Sequence, residues 1–173
     1  GGDMMLGAGV TKTEIGDLKR RLWACADVLR SSAVDRTDWK SYILPLVFFK
    51  RISDVWDEET ADAVEIYGDV GPSAFSEIHR FVVPEGCHWE DVRATATNVG
   101  AALAHAMREI ERANPDHLFR VFGAGNWSNK AIFSDELVKD LIEEFSTVPL
   151  GNNAVTTDIL GDAYEYLVGE FAD

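Results

Sequence analysis

The chain is short of cysteine, of basic charge and of long apolar runs, and each shortage closes off a class of function. Cys25 and Cys87 are its two cysteines. They form no CxxC pair, so they offer no disulfide framework, and they suit a reducing cytoplasm. The longest apolar run, Ile43 to Phe49, falls far below the roughly 20 residues a membrane span needs. The start, Gly1-Gly2-Asp3-Met4-Met5, has no basic region followed by an apolar one, so no secretory signal is expected and the protein is placed in the cytoplasm. Residues 1–12 read as a disordered tag remnant and native N-terminus. Asn126-Trp127-Ser128 fits a glycosylation sequon, which without a secretory signal is a chance match.

Basic charge is the third shortage. Lysine and arginine number 16 against 30 acidic residues, for a net charge of −14. A protein that binds DNA on its own normally shows the opposite balance, because phosphate neutralisation supplies most of the affinity. The imbalance is uneven. From Leu18 to Arg51, eight cations (Lys19, Arg20, Arg21, Arg30, Arg36, Lys40, Lys50 and Arg51) face three acids. From Ala131 to Asp173, ten acids face one cation, Lys139. One end could therefore touch phosphate while the other repels it, or both could be solvated helix faces.

What is present is a 46% hydrophobic composition, enough for a real core, arranged at helical spacing. Ile15, Leu18, Leu22, Ala26 and Leu29 predict a helix from about Glu14 to Arg30. Thr37 and Asp38 are capping residues for a second helix through Ile43, Leu46, Val47, Ile52, Val55 and Trp56. Pro45 predicts a kink in that helix, or a true start near Ser41. Gly68 to Pro72 breaks it; a short helix is expected around Ser73 to His79, and Phe81-Val82-Val83-Pro84 reads as extended. Asn98, Ser134 and Thr157 are read as caps of three further helices, the first ended by Asn114-Pro115. The expected fold is mainly α: a compact multi-helix bundle of about five main helices with one or two short extended segments. Residues 13–173 form one domain in this reading.

Catalytic signatures are scarce. His79, His88, His105 and His117 are scattered without metal-ligand spacing, and no serine sits in a GxSxG elbow. Gly123-Ala124-Gly125 begins like a GxGxxG loop, but Ser128 stands where the third glycine belongs. Asn114-Pro115-Asp116-His117 shares only its first two residues with the Asn-Pro-Pro-aromatic motif of amino-methyltransferases, and it follows a helix rather than a strand. Phe119, Phe122 and Trp127, near Arg120 and Lys130, read either as a stacking surface for nucleic acid or as a core plug. Lys50-Arg51 reads as a partner of phosphate or of nearby acids. The candidate DNA or partner contacts are Lys19, Arg20, Arg21, Lys50, Arg51, Trp127 and Lys130; no catalytic, cofactor or metal residue is assigned.

An ordered set of segments carries a family resemblance: Leu22-Trp23 with Ala26-Asp27 and Leu29-Arg30, the run from Tyr42 to Asp54, Phe81-Val82-Val83-Pro84 before Trp89, Asn114-Pro115, and Asp158-Ile-Leu-Gly-Asp-Ala-Tyr-Glu-Tyr-Leu167. In order and spacing they resemble the N-terminal helical domain of the modification (M) subunit of type I restriction-modification DNA methyltransferases. The resemblance implies a parent enzyme that methylates adenine N6 at a specific DNA sequence. It works with a specificity subunit, a second M subunit and a restriction subunit on double-stranded DNA. It also implies that the S-adenosylmethionine-binding catalytic domain lies outside this chain, so the chain alone is expected to be inactive and to need no cofactor. The competing expectations are a free-standing helical interaction module, and a small enzyme built on Asp158 and Asp162.

Overall fold

The computed structural model describes residues 12–68 and 78–170. Six α-helices lie wholly within them: α1 (Ile15–Arg30), α2 (Trp39–Tyr67), α3 (Trp89–Arg93), α4 (Val99–Ala113), α5 (Asp135–Ser146) and α6 (Thr157–Glu170). No strand occurs among the described residues, so the mainly-α expectation holds. The short helix expected around residues 73–79 falls mostly outside them.

α1 forms as its periodicity predicts and buries Leu18, Leu22, Cys25, Ala26 and Leu29. Its last carbonyls are taken by two serines: Ser31 Oγ donates to Val28 O (3.1 Å) and Ser32 Oγ to Leu29 O (2.6 Å). The following cap differs from the sequence reading. Asp35, not Thr37 or Asp38, makes the capping bond, accepting from Thr37 N (3.2 Å) at the head of a 3-10 turn over Arg36–Asp38. That turn runs directly into α2.

α2 is the spine, 29 residues long, with Pro45 inside it. The start considered near Ser41 is corrected to Trp39. Proline removes the donor that the Ser41 carbonyl would have used, but Ser41 is exposed and water can take its place. The helix ends at Gly68, whose φ of 78° only glycine adopts without strain and whose N–H closes on Val64 O at 2.8 Å.

α5 is the hub, touching α1, α2, α3 and α4. Its inner residues Val138, Leu141, Ile142 and Phe145 are essentially solvent-free, and full burial of such side chains contributes roughly 2 kcal/mol each. Ser134 caps α5 as expected, accepting from Leu137 N at 3.2 Å. Two other caps move. Asn98 precedes α4 but sits in the left-handed region (φ 55°) and makes no side-chain cap bond. The Asp135 carboxylate reaches across from α5 instead, accepting from Val99 N (3.1 Å). That bond holds the Asp135 carboxyl below its ordinary range. For α6 the bond to Ile159 N (3.2 Å) goes to Thr156, one residue before Thr157.

The extended piece at Phe81–Pro84 pairs with a side chain rather than a strand. The Asn114 carboxamide accepts from Val82 N (2.8 Å) and donates to Val82 O (2.8 Å) and Ile110 O (2.7 Å). The residue read as a helix stop therefore also imitates a neighbouring strand and closes the end of α4.

Candidate functional site

Two sets of cations were singled out, and their surroundings differ. On α2, Lys50 is only 5% exposed although it carries a charge. Its ammonium pairs with Asp54 one turn on and donates to Val148 O at 2.9 Å. Arg51 donates to Leu150 O (2.8 Å) and bonds the Asn152 side chain. The acids of the same face complete the set: Asp54 accepts from Leu150 N (2.8 Å), and Glu58 accepts from Asn152 N (2.7 Å) and Asn153 N (3.0 Å). Four polar side chains on three successive helical turns thus satisfy the backbone of the turn between α5 and α6. From the other side Thr13 fixes the same turn, donating to Pro149 O (2.6 Å). Burial lowers the pKa of Arg51, against the pull of Glu58 and Asp54. Of the two partners read for Lys50-Arg51, Lys50 takes the nearby acid, Asp54, and is buried with it, while the half-buried Arg51 is held by the Leu150 carbonyl and the Asn152 side chain.

On α1 the cations point outward. Arg20 is exposed and pairs with Asp17 on its own helix. Arg21 is exposed and lies 3.4 Å from Glu144 of α5. Lys19 is half-buried, its ammonium 4.8 Å from the centre of the Tyr166 ring. Lys130, also exposed, donates to Asn98 Oδ1 (3.0 Å) and sits 3.6 Å from Asp135.

The aromatic loop divides. Trp127 is 2% exposed and meets Tyr42 edge-on (5.0 Å) and Phe133 (4.9 Å), so it is a core plug and not a stacking platform. Phe122 is buried as well, whereas Phe119 is 68% exposed beneath the Arg120 guanidinium. Trp127 is packed so closely that a Cβ on Gly100 would overlap its carbonyl oxygen. Its indole N–H has no hydrogen-bond partner among the described residues. Trp39 and Trp56 are buried as well, and Trp23 is half-buried.

A third polar cluster surrounds His79, whose ring is stacked on Trp56 at 3.4 Å. Glu59 Oε1 lies 3.0 Å from Nδ1 and Thr60 Oγ1 3.2 Å from Nε2. Nearby, burial raises the pKa of Asp57. Burial also pushes both thiols up, Cys25 strongly, so neither is a ready nucleophile.

These clusters hold elements together, and no group of three or more His, Cys, Asp or Glu among the described residues is placed to hold a metal ion. Gly123-Ala124-Gly125 follows no strand; Gly123 takes a φ of 69° in open space, whereas a Cβ on Gly125 would lie 2.9 Å from the Tyr42 ring, so Gly125 serves close packing. No helix of the described residues is long and apolar enough to cross a membrane.

The described residues form an all-α fold in which buried Lys50, Thr13 and Asn114 bind the chain's own backbone. Residues 18–145 match the family described as the HsdM N-terminal domain. The chain belongs to that family, the N-terminal domain of the M subunit of type I restriction-modification systems. A search of curated proteins found no match. The family match stops at Phe145, so the Asp158–Leu167 segment lies beyond it.

Proposed function

We propose that this chain is the N-terminal part of a site-specific DNA adenine-N6 methyltransferase M subunit, and that it serves assembly and DNA engagement while the methyl transfer is done elsewhere. The family match over residues 18–145 carries the reading. The geometry supports the division of labour: Lys50, Asp54, Glu58 and His79, the polar groups best held for chemistry, are committed to internal partners. S-adenosylmethionine belongs in this reading to the catalytic domain of the whole M subunit. The partners are the specificity subunit, a second M subunit and a restriction subunit, on double-stranded DNA. The phosphate-facing surface is drawn from the outward cations Arg20, Arg21 and Lys130, and not from Lys50 or Arg51.

The test uses the complete M subunit with its specificity subunit. Deleting residues 12–170 should abolish site-specific methylation and reduce recovery of the complex; full assembly and full methylation without them would overturn the reading. Charge reversal at Arg20 and Arg21 separates the two roles. It should leave assembly intact while lowering DNA affinity and flattening its salt dependence by about one unit of log–log slope per lost phosphate contact. Unchanged affinity across a salt series would remove the DNA role from this surface.

A further inference from the structure

A hollow of about 450 Å³ lies between the start of α2 and the loop after α4, a volume in the range of small-molecule sites. Tyr42, Leu44, Pro45 and Val121 give it an apolar wall. Two charged side chains line it, Asp38 from the head of α2 and Arg120 from the loop. Neither is paired among the described residues. Asp38 makes no side-chain cap bond, and the Arg120 guanidinium has only the Phe119 ring, 5.0 Å from its centre. Opposite charges that share a hollow without meeting leave room for a ligand that meets both. The neighbouring charges stay out of it. Arg36 bonds Glu170 O, Lys40 is not in the wall, and Arg108 and Glu111 line a separate hollow behind the glycines.

The two sides differ in hydrogen-bonding sense. On the α2 side, Pro45 has no N–H, so the Ser41 carbonyl lacks its helical donor, and Ser41 lines the hollow beside Asp38. That side accepts. On the loop side, Arg120 takes a φ of 59°, which residues with a side chain rarely adopt, and Gly123 N closes the turn on Arg120 O at 3.1 Å. The next two backbone N–H groups, of Ala124 and Gly125, meet no acceptor among the described residues. The Tyr42 hydroxyl accepts from Asn126 N (3.3 Å), which leaves its own proton to donate. That side donates.

A guanidinium beside open backbone N–H groups is the chemistry that holds a phosphate. A carboxylate beside an open carbonyl is the chemistry that holds an amino group. Inorganic phosphate would leave the acceptors unmet, and an α-amino acid would leave much of the hollow empty. We propose that the hollow binds a nucleoside monophosphate whose base carries an amino group. Its phosphate meets Arg120 and the N–H groups of Ala124 and Gly125, its amino group meets Asp38 and the Ser41 carbonyl, and its base lies against Pro45 and Val121. The proposal goes beyond the M-subunit reading and stands or falls separately from it.

The full chain is titrated by isothermal calorimetry with adenosine monophosphate and with three relatives: adenosine, inorganic phosphate, and purine riboside monophosphate, which lacks the amino group. Adenosine monophosphate should bind at least about tenfold more tightly than each of the three. Two variants then assign the ends. Arg120→Asn removes the cation but keeps a residue that tolerates the left-handed backbone. It should weaken adenosine monophosphate by about tenfold and leave adenosine unchanged. Asp38→Ala should weaken adenosine monophosphate by about tenfold and leave purine riboside monophosphate unchanged. Circular dichroism checks that both variants keep their helices. A single-stranded oligoadenylate distinguishes the sources of the ligand. Binding tighter than that of the free nucleotide, and lost with Arg120→Asn, assigns the unit to a nucleic-acid strand; weaker binding assigns it to a free nucleotide. No binding at millimolar nucleotide, equal binding of inorganic phosphate, or variants that leave every affinity unchanged would each overturn the proposal.

Discussion

Lys50 and Arg51 on α2 carry the same kinds of charge as Lys19 and Arg20 on α1, and the two pairs do opposite things. On α2 Lys50 is buried and Arg51 half-buried, and their charges are met by Asp54 and by the carbonyls of Val148 and Leu150. On α1, Arg20 is exposed beside Asp17, and Lys19 is half-buried with its ammonium over the Tyr166 ring. A cation in a low-dielectric interior is costly unless every donor is satisfied, so the α2 pair can persist only as part of its clamp. An exposed ion pair is screened and nearly free to exchange partners, so the α1 row remains available to a ligand. Charge count alone does not separate a binding surface from a structural lock; the environment of each charge does.

That comparison can be broken at several points. The largest effect is expected from Lys50→Ala, which strands Asp54 and the Val148 carbonyl in a largely buried place. It should cost about 3 kcal/mol in urea unfolding, and a loss near zero would mean that Lys50 faces water. Gly100→Ala comes next: its methyl meets the Trp127 backbone, which has no flexible end to move aside, and should cost about 2 kcal/mol by the same measurement. Arg51→Ala removes charge-assisted bonds to a half-buried turn and should cost about 1.5 kcal/mol. The smallest stability effect, within about 0.5 kcal/mol, is expected for Arg20→Ala, whose exposed side chain pairs only with Asp17 on its own helix.

The acidic side of the same contrast can be read by pH. Asp135 is held below its ordinary range by the Val99 N–H, and Glu143 by its bonds with Arg93. Both carboxyls bind protons less readily in the folded state than in the unfolded one. Their stabilisation is therefore present above the ordinary carboxylate range and is lost as the pH falls through the lowered values. Asp135→Asn should blunt that acid limb in thermal melts recorded across the pH series; an unchanged limb would show that the cap contributes nothing to it.

The helices were legible because their apolar residues recur at three and four, and burial at Leu18, Leu22 and Leu29 follows that spacing directly. The family was legible for the same reason, since its segments are mostly helix faces and helix stops. Of the clamp, the pairing of Lys50 with a nearby acid was one of the two readings, and the bonds to the turn were not read. Yet a trace of it lies in the sequence: Lys50, Asp54 and Glu58 stand four apart within a helix otherwise too apolar to be surface. Such a polar row inside an apolar helix must be satisfied by something, and the turn after α5 is what it meets. The Asn114 clasp left no comparable trace, because its partner Val82 lies 32 positions away and contributes only backbone. Of the caps, Ser134 was read in place, Asp35 and Thr156 lie just before the residues read as caps, and Asn98 failed because a neighbouring helix supplies the acceptor.

The span of the clamp has a consequence for how the protein is made. Lys50 and Val148 are separated by 98 positions in the chain. At ribosomal speeds of about 5–20 residues per second, the lysine emerges roughly 5–20 s before the carbonyl it will bind. Throughout that interval the middle of α2 carries an apolar surface and a cation without its final partner. Nascent chains halted before residue 148 should therefore be the ones that chaperones hold, and release should coincide with emergence of the turn that closes on α2.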